Sequence, residues 1–142
     1  MATIKSWSGS SPHAREVAAL DELRKGLPSN WFGYANVFVK DPRSDTGYEV
    51  DLILISDDRI LMIDVKDWVG KISYNRGQWC QEVADRKQRT MGRDPVLKLI
   101  DAGNALITSM RSAGINPVPF VMKAVVFARS TTDFSEVAEI HK

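Results

Sequence analysis

Hydrophobic and polar positions alternate with the two-residue period of strands over residues 48–55 and 60–66, around a polar Ser56-Asp57-Asp58-Arg59 that suits a tight reversal. A reversal symmetric about Asp57 and Asp58 sets Ser56 against Arg59, Asp51 against Asp64, and Glu49 against Lys66. Glu49, Asp51 and Ile53 then share a side with Met62, Asp64 and Lys66. Val50, Leu52, Leu54, Leu61, Ile63 and Val65 form an apolar surface on the other. Upstream, the pattern predicts a helix over 11–25, capped by Ser11, opened by Pro12 and stopped by Gly26 and Pro28. Leu20, Leu23 and Leu27 make its apolar stripe, edged by Val17 and Ala19; Asp21, Glu22 and Lys25 lie opposite, and Glu16 stands within the stripe.

Residues 31–39 are aromatic and β-branched and read as a strand. After the hairpin, Trp68-Val69-Gly70 breaks the run, 71–74 is strand-like, and Asn75-Arg76-Gly77 turns into a short strand around Trp79. Residues 83–94 are polar and basic without periodicity, which predicts a loop. A second helix is expected over 95–113, with Val96, Leu99, Gly103, Leu106, Ile107 and Met110 on one stripe and Gly114 ending it. A strand over 119–129 follows, and a helical pattern begins at 135. Residues 1–10 read as a flexible tail, 11–129 as one domain, and 130–142 as a helix or linker leading to a further domain. The class is α/β, with a mixed central sheet carrying an antiparallel hairpin meander and flanked by helices.

The length of 142 residues with 44% hydrophobic content supports one domain with a developed core. There is no long apolar run and no hydrophobic signal segment, so a cytoplasmic chain without a membrane span is expected. The single cysteine, Cys80, excludes an internal disulfide and has no histidine near it in sequence. His13 and His141 are far apart, which leaves oxygen donors for any metal. With a formal charge of +1, binding to nucleic acid has to come from a local patch or a bridging cation. The basic stretch Arg86, Lys87, Arg89 and Arg93 is either such a backbone-contact surface or a solvated loop.

Asp51 facing Asp64 carries the chemistry. Opposed residues have Cβ atoms about 4.5–5.5 Å apart, and like charges so placed are destabilising. A shared proton, a basic neighbour or a divalent cation relieves the repulsion; paired hard oxygens suit Mg2+, with Mn2+ as the alternative ion. Lys66, on the same face, is expected to orient an attacking water or stabilise developing negative charge, with proton abstraction as a third role. Glu16 either adds a metal ligand or runs out to solvent or to Arg15 or Lys66, and the Val65 carbonyl is a further candidate ligand. The competing account makes Asp51 and Asp64 solvated surface groups and Glu49–Lys66 a cross-strand ion pair. Asp57 and Asp58 are turn chemistry. Trp68 and Trp79 serve either base stacking or core packing.

Glu16 in an opening helix, Asp51 within the run 48–55, Asp64-Val65-Lys66, Trp68-Val69-Gly70 and the later Trp79 together resemble the nuclease-related domain (NERD) family of the PD-(D/E)xK nuclease superfamily, over residues 11–129. The resemblance implies a restriction-endonuclease-like core and a Mg2+-dependent deoxyribonuclease, with Asp51, Asp64, Lys66 and Glu16 in the acidic and basic positions. Asp64 stands where the family more often has Glu. Asp94-Pro95-Val96-Leu97-Lys98 stands for its Asn-Pro-x-x-Gln, which puts Lys98 at the Gln position; it projects away from the apolar stripe, toward phosphate or toward solvent. Such modules are typically fused to kinase, helicase or topoisomerase-type zinc regions. DNA is the implied partner. A non-catalytic DNA-binding or targeting module is the main alternative, and a protein-interaction domain a third.

Overall fold

The computed structural model describes residues 2–6, 14–84, 86–89, 94–127 and 133–136, and at 6, 14–16, 75, 87–89 and 133–136 the backbone only. In chain order the described elements are β1 (Thr3–Ser6), α1 (Ala14–Gly26), β2 (Phe32–Lys40), β3 (Gly47–Ile55), β4 (Arg59–Lys66), β5 (Lys71–Asn75), β6 (Gln78–Val83), β7 (Arg86–Arg89), α2 (Pro95–Ser112), β8 (Phe120–Phe127) and β9 (Asp133–Glu136). Five strands form the central sheet in the order β1-β2-β3-β4-β8. The β1–β2 and β4–β8 pairs are parallel and the two between them antiparallel, so the sheet is mixed, and its α/β arrangement is consistent with a restriction-endonuclease-like fold.

The hairpin register follows from its turn. Ser56 N–H donates to the Arg59 carbonyl at 3.0 Å, and the ladder runs from Ile55 with Ile60 to Leu52 with Ile63. Asp58 holds the Arg59 guanidinium through both carboxylate oxygens, at 2.9 Å each, and these bonds hold its pKa below the usual carboxylate range. The acidic pair is therefore turn chemistry.

Each face of the sheet has its own core. Leu52, Leu54, Ile63 and Val65 are buried on one face and pack with Ala19, Leu20, Leu23 and Leu27, the stripe expected of α1 and the turn that ends it. Val39, Val50, Ile53, Ile60, Met62 and Val121 bury the other face beneath Leu99, Ala102, Ala105 and Met110 of α2. Burial of each such large side chain stabilises the fold by roughly 1.5–3 kcal/mol, so the helices are held mainly by these two layers. At its far end α2 stops where Gly114, at φ +82°, turns the chain left-handed and donates its N–H to the Arg111 carbonyl at 3.0 Å.

The expected single apolar face of the hairpin needs one correction. Val50 and Leu52 are two residues apart, yet they belong to opposite cores. The alternation breaks between them, at Asp51, and on the neighbouring strand at Asn36, which has φ +55°. Ala35 pairs with Leu52 and Val37 with Val50, so Asn36 stands across from Asp51 at this break. A left-handed residue rotates the strand and sends the following side chains to the other face. Ile53 and Met62, expected on the polar side, are accordingly buried under α2.

A second sheet, in the order β7-β6-β5-β9, extends the meander. Ile72 and Trp79 are its buried centre, joined by Trp68, Tyr74, Val96 and Phe127. Trp68 lies 5.9 Å from Trp79 and 6.0 Å from Phe127, ring centre to ring centre, so both tryptophans are core packing and not an open stacking platform. Gly70, at φ +73°, approaches the strand so closely that a Cβ there would collide with the Glu82 carbonyl oxygen, which accounts for the glycine of Trp-x-Gly.

Three stretches differ from the sequence reading. The opening tail includes β1, which pairs in parallel with β2 from Thr3 to Ser6. The basic stretch expected as a loop contains β7, antiparallel to β6 through Val83 with Arg86 and Cys80 with Arg89. The helical pattern from 135 begins instead inside β9, whose backbone pairs with β5. In each case a neighbouring strand edge supplies hydrogen-bond partners that local periodicity cannot register. Residues 137–142 lie outside the described ones. No helix among the described residues is long and apolar enough to cross a membrane.

Candidate active site

The two central strands separate where their sequences turn acidic. The β3–β4 ladder ends at Leu52 with Ile63, so the next opposed positions are Asp51 and Asp64. Asp51 reaches across this opening with its side chain, and its Oδ2 accepts the Val65 N–H at 2.6 Å. A carboxylate thereby takes the place of a backbone acceptor and is tied to the amide that follows Asp64. The Val65 contribution is thus its N–H, donated to Asp51, beside the carbonyl that the sequence suggested.

Asp64 is completely buried, on the face of β4 that looks toward α2. Burial of a carboxylate is costly unless it is paired and hydrogen-bonded. Two lysines provide the pairing. Lys98 Nζ donates to Asp64 Oδ1 at 3.0 Å, and Lys66 Nζ lies 3.0 Å from Oδ2. The second contact is an ion pair without hydrogen-bond alignment, which leaves Oδ2 a buried oxygen with no hydrogen-bond partner. Both lysines keep access to solvent, with side-chain exposures of 27% for Lys66 and 22% for Lys98.

Lys98 is placed by the start of α2. Asp94 Oδ1 accepts the Val96 N–H at 2.9 Å and Pro95 opens the first turn, a standard helix start. The Lys98 N–H closes the first α-helical bond onto the Asp94 carbonyl at 3.0 Å. Its side chain points into the site, where the sequence reading left it between phosphate and solvent.

Asp51, Asp64, Val65, Lys66 and Lys98 therefore meet at one end of the central hairpin. Glu16 lies in α1, with its side chain outside the described residues, so its part in the cluster is not among these contacts. Arg86 is exposed on β7, with Lys87 and Arg89 on the same strand, and Arg93 is outside the described residues. Asn36 was not singled out from the sequence. It is buried, left-handed, opposite Asp51, and its Nδ2 has no hydrogen-bond partner. An Asn between apolar strand residues is the one local sign of it, because Asn tolerates positive φ better than its neighbours.

The donor set suits a hard dication in kind: carboxylate oxygens, one of them buried and lacking a hydrogen bond. Among the described residues no three acidic, histidine or cysteine side chains converge, so these residues supply two carboxylates to such a site. Magnesium, which keeps several waters, is compatible with so few ligands.

Comparison with known proteins bears on what this arrangement is for. A family model described as "Nuclease-related domain" matches residues 11–128. Among curated proteins, the chain is similar to the one named "Probable kinase PglW" from Streptomyces coelicolor (strain ATCC BAA-471 / A3(2) / M145), 29% identical over 86 residues. That stretch is 58% of this chain and 5% of the relative, so the chain spans a small part of the curated protein that it matches. No solved structure gives a significant match.

Proposed function

The chain belongs to the nuclease-related domain (NERD) family, and on that premise we propose that it hydrolyses DNA phosphodiester bonds with the help of a divalent metal, Mg2+ or Mn2+. The observation that carries the reading is the completely buried Asp64, held between Lys66 and Lys98 next to the tethered Asp51. A fold has little to gain structurally from burying a carboxylate where two strands part; a well-packed apolar residue is commonly as good or better. Buried carboxylates with charged partners at the edge of a cleft are typical of sites that do chemistry.

In this reading Asp51 and Asp64 hold the dication, with Glu16 and the Val65 carbonyl as further ligands. The chemistry that the ion supplies when bound is Lewis-acid polarisation of a phosphoryl oxygen. Val65 N–H fixes the Asp51 carboxylate, which removes the reorganisation that a free side chain would need. Lys66, partly exposed beside Asp64, orients water and stabilises charge that develops on the phosphoryl oxygens. Asn36, across from Asp51 on β2, supports the break in the sheet that lets its carboxylate cross to β4. Arg86, Lys87 and Arg89 of the second sheet, together with Arg93, contact the DNA backbone. The similarity to a kinase-named protein of far greater length supports a role as the nucleic-acid-handling part of a multidomain chain.

Incubation of supercoiled plasmid with the purified protein and Mg2+ or Mn2+ tests the reading. The parent is expected to nick it, while Asp64→Ala and Lys66→Ala reduce the rate by roughly 100-fold or more, as loss of one charge-stabilising group does elsewhere. One observation favours a second reading, a DNA-binding module without catalysis: both oxygens of Asp64 already face ammonium groups. Equal behaviour of the parent and both variants, together with retained DNA binding, would establish that reading instead.

A further inference from the structure

We infer that Lys98 is a built-in counterion that occupies Asp64 in place of a divalent cation, so that metal binding requires its ammonium to leave. This deepens the metallonuclease reading and rests on it. Lys98 Nζ takes Asp64 Oδ1 at 3.0 Å, with the alignment of a true hydrogen bond, whereas Lys66 at Oδ2 lacks that alignment. Of the two cations, Lys98 is the one bonded to the carboxylate.

Charge counting shows the consequence. Asp51, Asp64, Lys66 and Lys98 sum to zero formal charge, so a dication arriving at this set meets no net attraction. With Lys98 withdrawn the set is negative by one, and Asp64 Oδ1 is open. An ammonium and a dication cannot share one oxygen without strong repulsion at this separation, because screening is weakest where the carboxylate is buried.

The position of Lys98 gives it somewhere to go. It stands one turn into α2, near the positive end of the helix dipole, where a cation is unfavourable, and the first turn carries no acidic side chain. Only Asp64 is seen to hold it there among the described contacts. Its side chain is 22% exposed and flexible enough to swing to an anion at the mouth of the site. A phosphate group is the anion expected there, and by exchanging partners it would free Asp64 for the metal. Metal and phosphate would then favour one another's binding.

The test is a Mn2+ titration without DNA, followed by the electron paramagnetic resonance of the free ion, with cooperative thermal unfolding as the check of folding. Lys98→Gln, and Lys98→Met as a second variant, are expected to bind Mn2+ about tenfold more tightly than the parent, within the usual range of coupling between sites. Lys98→Arg keeps the charge and is expected to stay at the parental affinity. Asp64→Asn is expected to abolish the binding in the parent and in the Lys98→Gln background. If Lys98→Gln and Lys98→Met bind no more tightly than the parent while Asp64→Asn still removes binding, the inference is overturned and the metal reading stands. If no variant shows Mn2+ binding that depends on Asp64, both fall.

Discussion

At the residue scale the decisive feature is a pair of side chains in unusual states on neighbouring strands. Asn36 is left-handed in mid-strand, and Asp51 spends its carboxylate on a backbone amide. The two stand opposite one another, so the strain of the first accompanies the functional placement of the second. A Cβ in the left-handed region costs about 1–2 kcal/mol, which Asn offsets in part and Gly avoids. Asn36→Gly is therefore expected to be more stable than Asn36→Ala by about 1 kcal/mol, read from urea unfolding midpoints. The opposite order would show that the residue is not held left-handed. Neither state was legible in the sequence, since strand periodicity assigns a face to every residue and contains no sign of where the assignment breaks. The opposition of Asp51 and Asp64 was legible, because it follows from a short turn and a period of two.

At the element scale the start of α2 connects a local rule to the site. Asp94 caps the helix, Pro95 sets its first turn, and Lys98 follows at a fixed rotation. Asp94→Ala is expected to lower stability by about 1 kcal/mol, the usual cost of losing such a cap. Fraying of that turn also releases Lys98 from Asp64, so the same variant is expected to bind Mn2+ more tightly than the parent, which calorimetry or the resonance titration can read. A loss of stability with unchanged Mn2+ affinity would separate the cap from the site. The helix and its cap were readable as sequence, from Asp-Pro before an apolar stripe and Gly after it. The destination of Lys98 was not, because Asp64 lies 34 residues away on another element. Edge pairing was equally hidden: β1, β7 and β9 are each of four residues and gain their structure from a neighbour.

For the whole molecule, a formal charge of +1 leaves little long-range attraction for DNA, and binding has to rest on local contacts. The slope of log affinity against log salt counts phosphate contacts at about 0.9 each for duplex DNA. Replacing both Arg86 and Arg89 by Ala is expected to reduce that slope by about 2 if both touch phosphate, without altering the unfolding midpoint by much. An unchanged slope would remove the second sheet from the DNA-binding surface and direct attention to the lysines beside Asp64. Trp79 of that sheet and Trp68 ahead of it are not available as an alternative surface, because Trp79 is buried and Trp68 packs between it and Phe127.

By itself the sequence determined the class of the protein: two amphipathic helices, a hairpin with a forced register, and an ordered set of acidic, basic and aromatic residues shared with one family. These are local quantities, set by periods of 2 and 3.6 residues, by turn chemistry and by caps. Only the tertiary structure decided what the site is made of. It brought a lysine from α2 onto a carboxylate of β4, turned a strand over at Asn36, and separated β3 from β4 so that Asp51 could bind the Val65 amide. Those outcomes depend on which elements pack face to face, and packing is decided by the burial of whole surfaces, which no short stretch of chain contains.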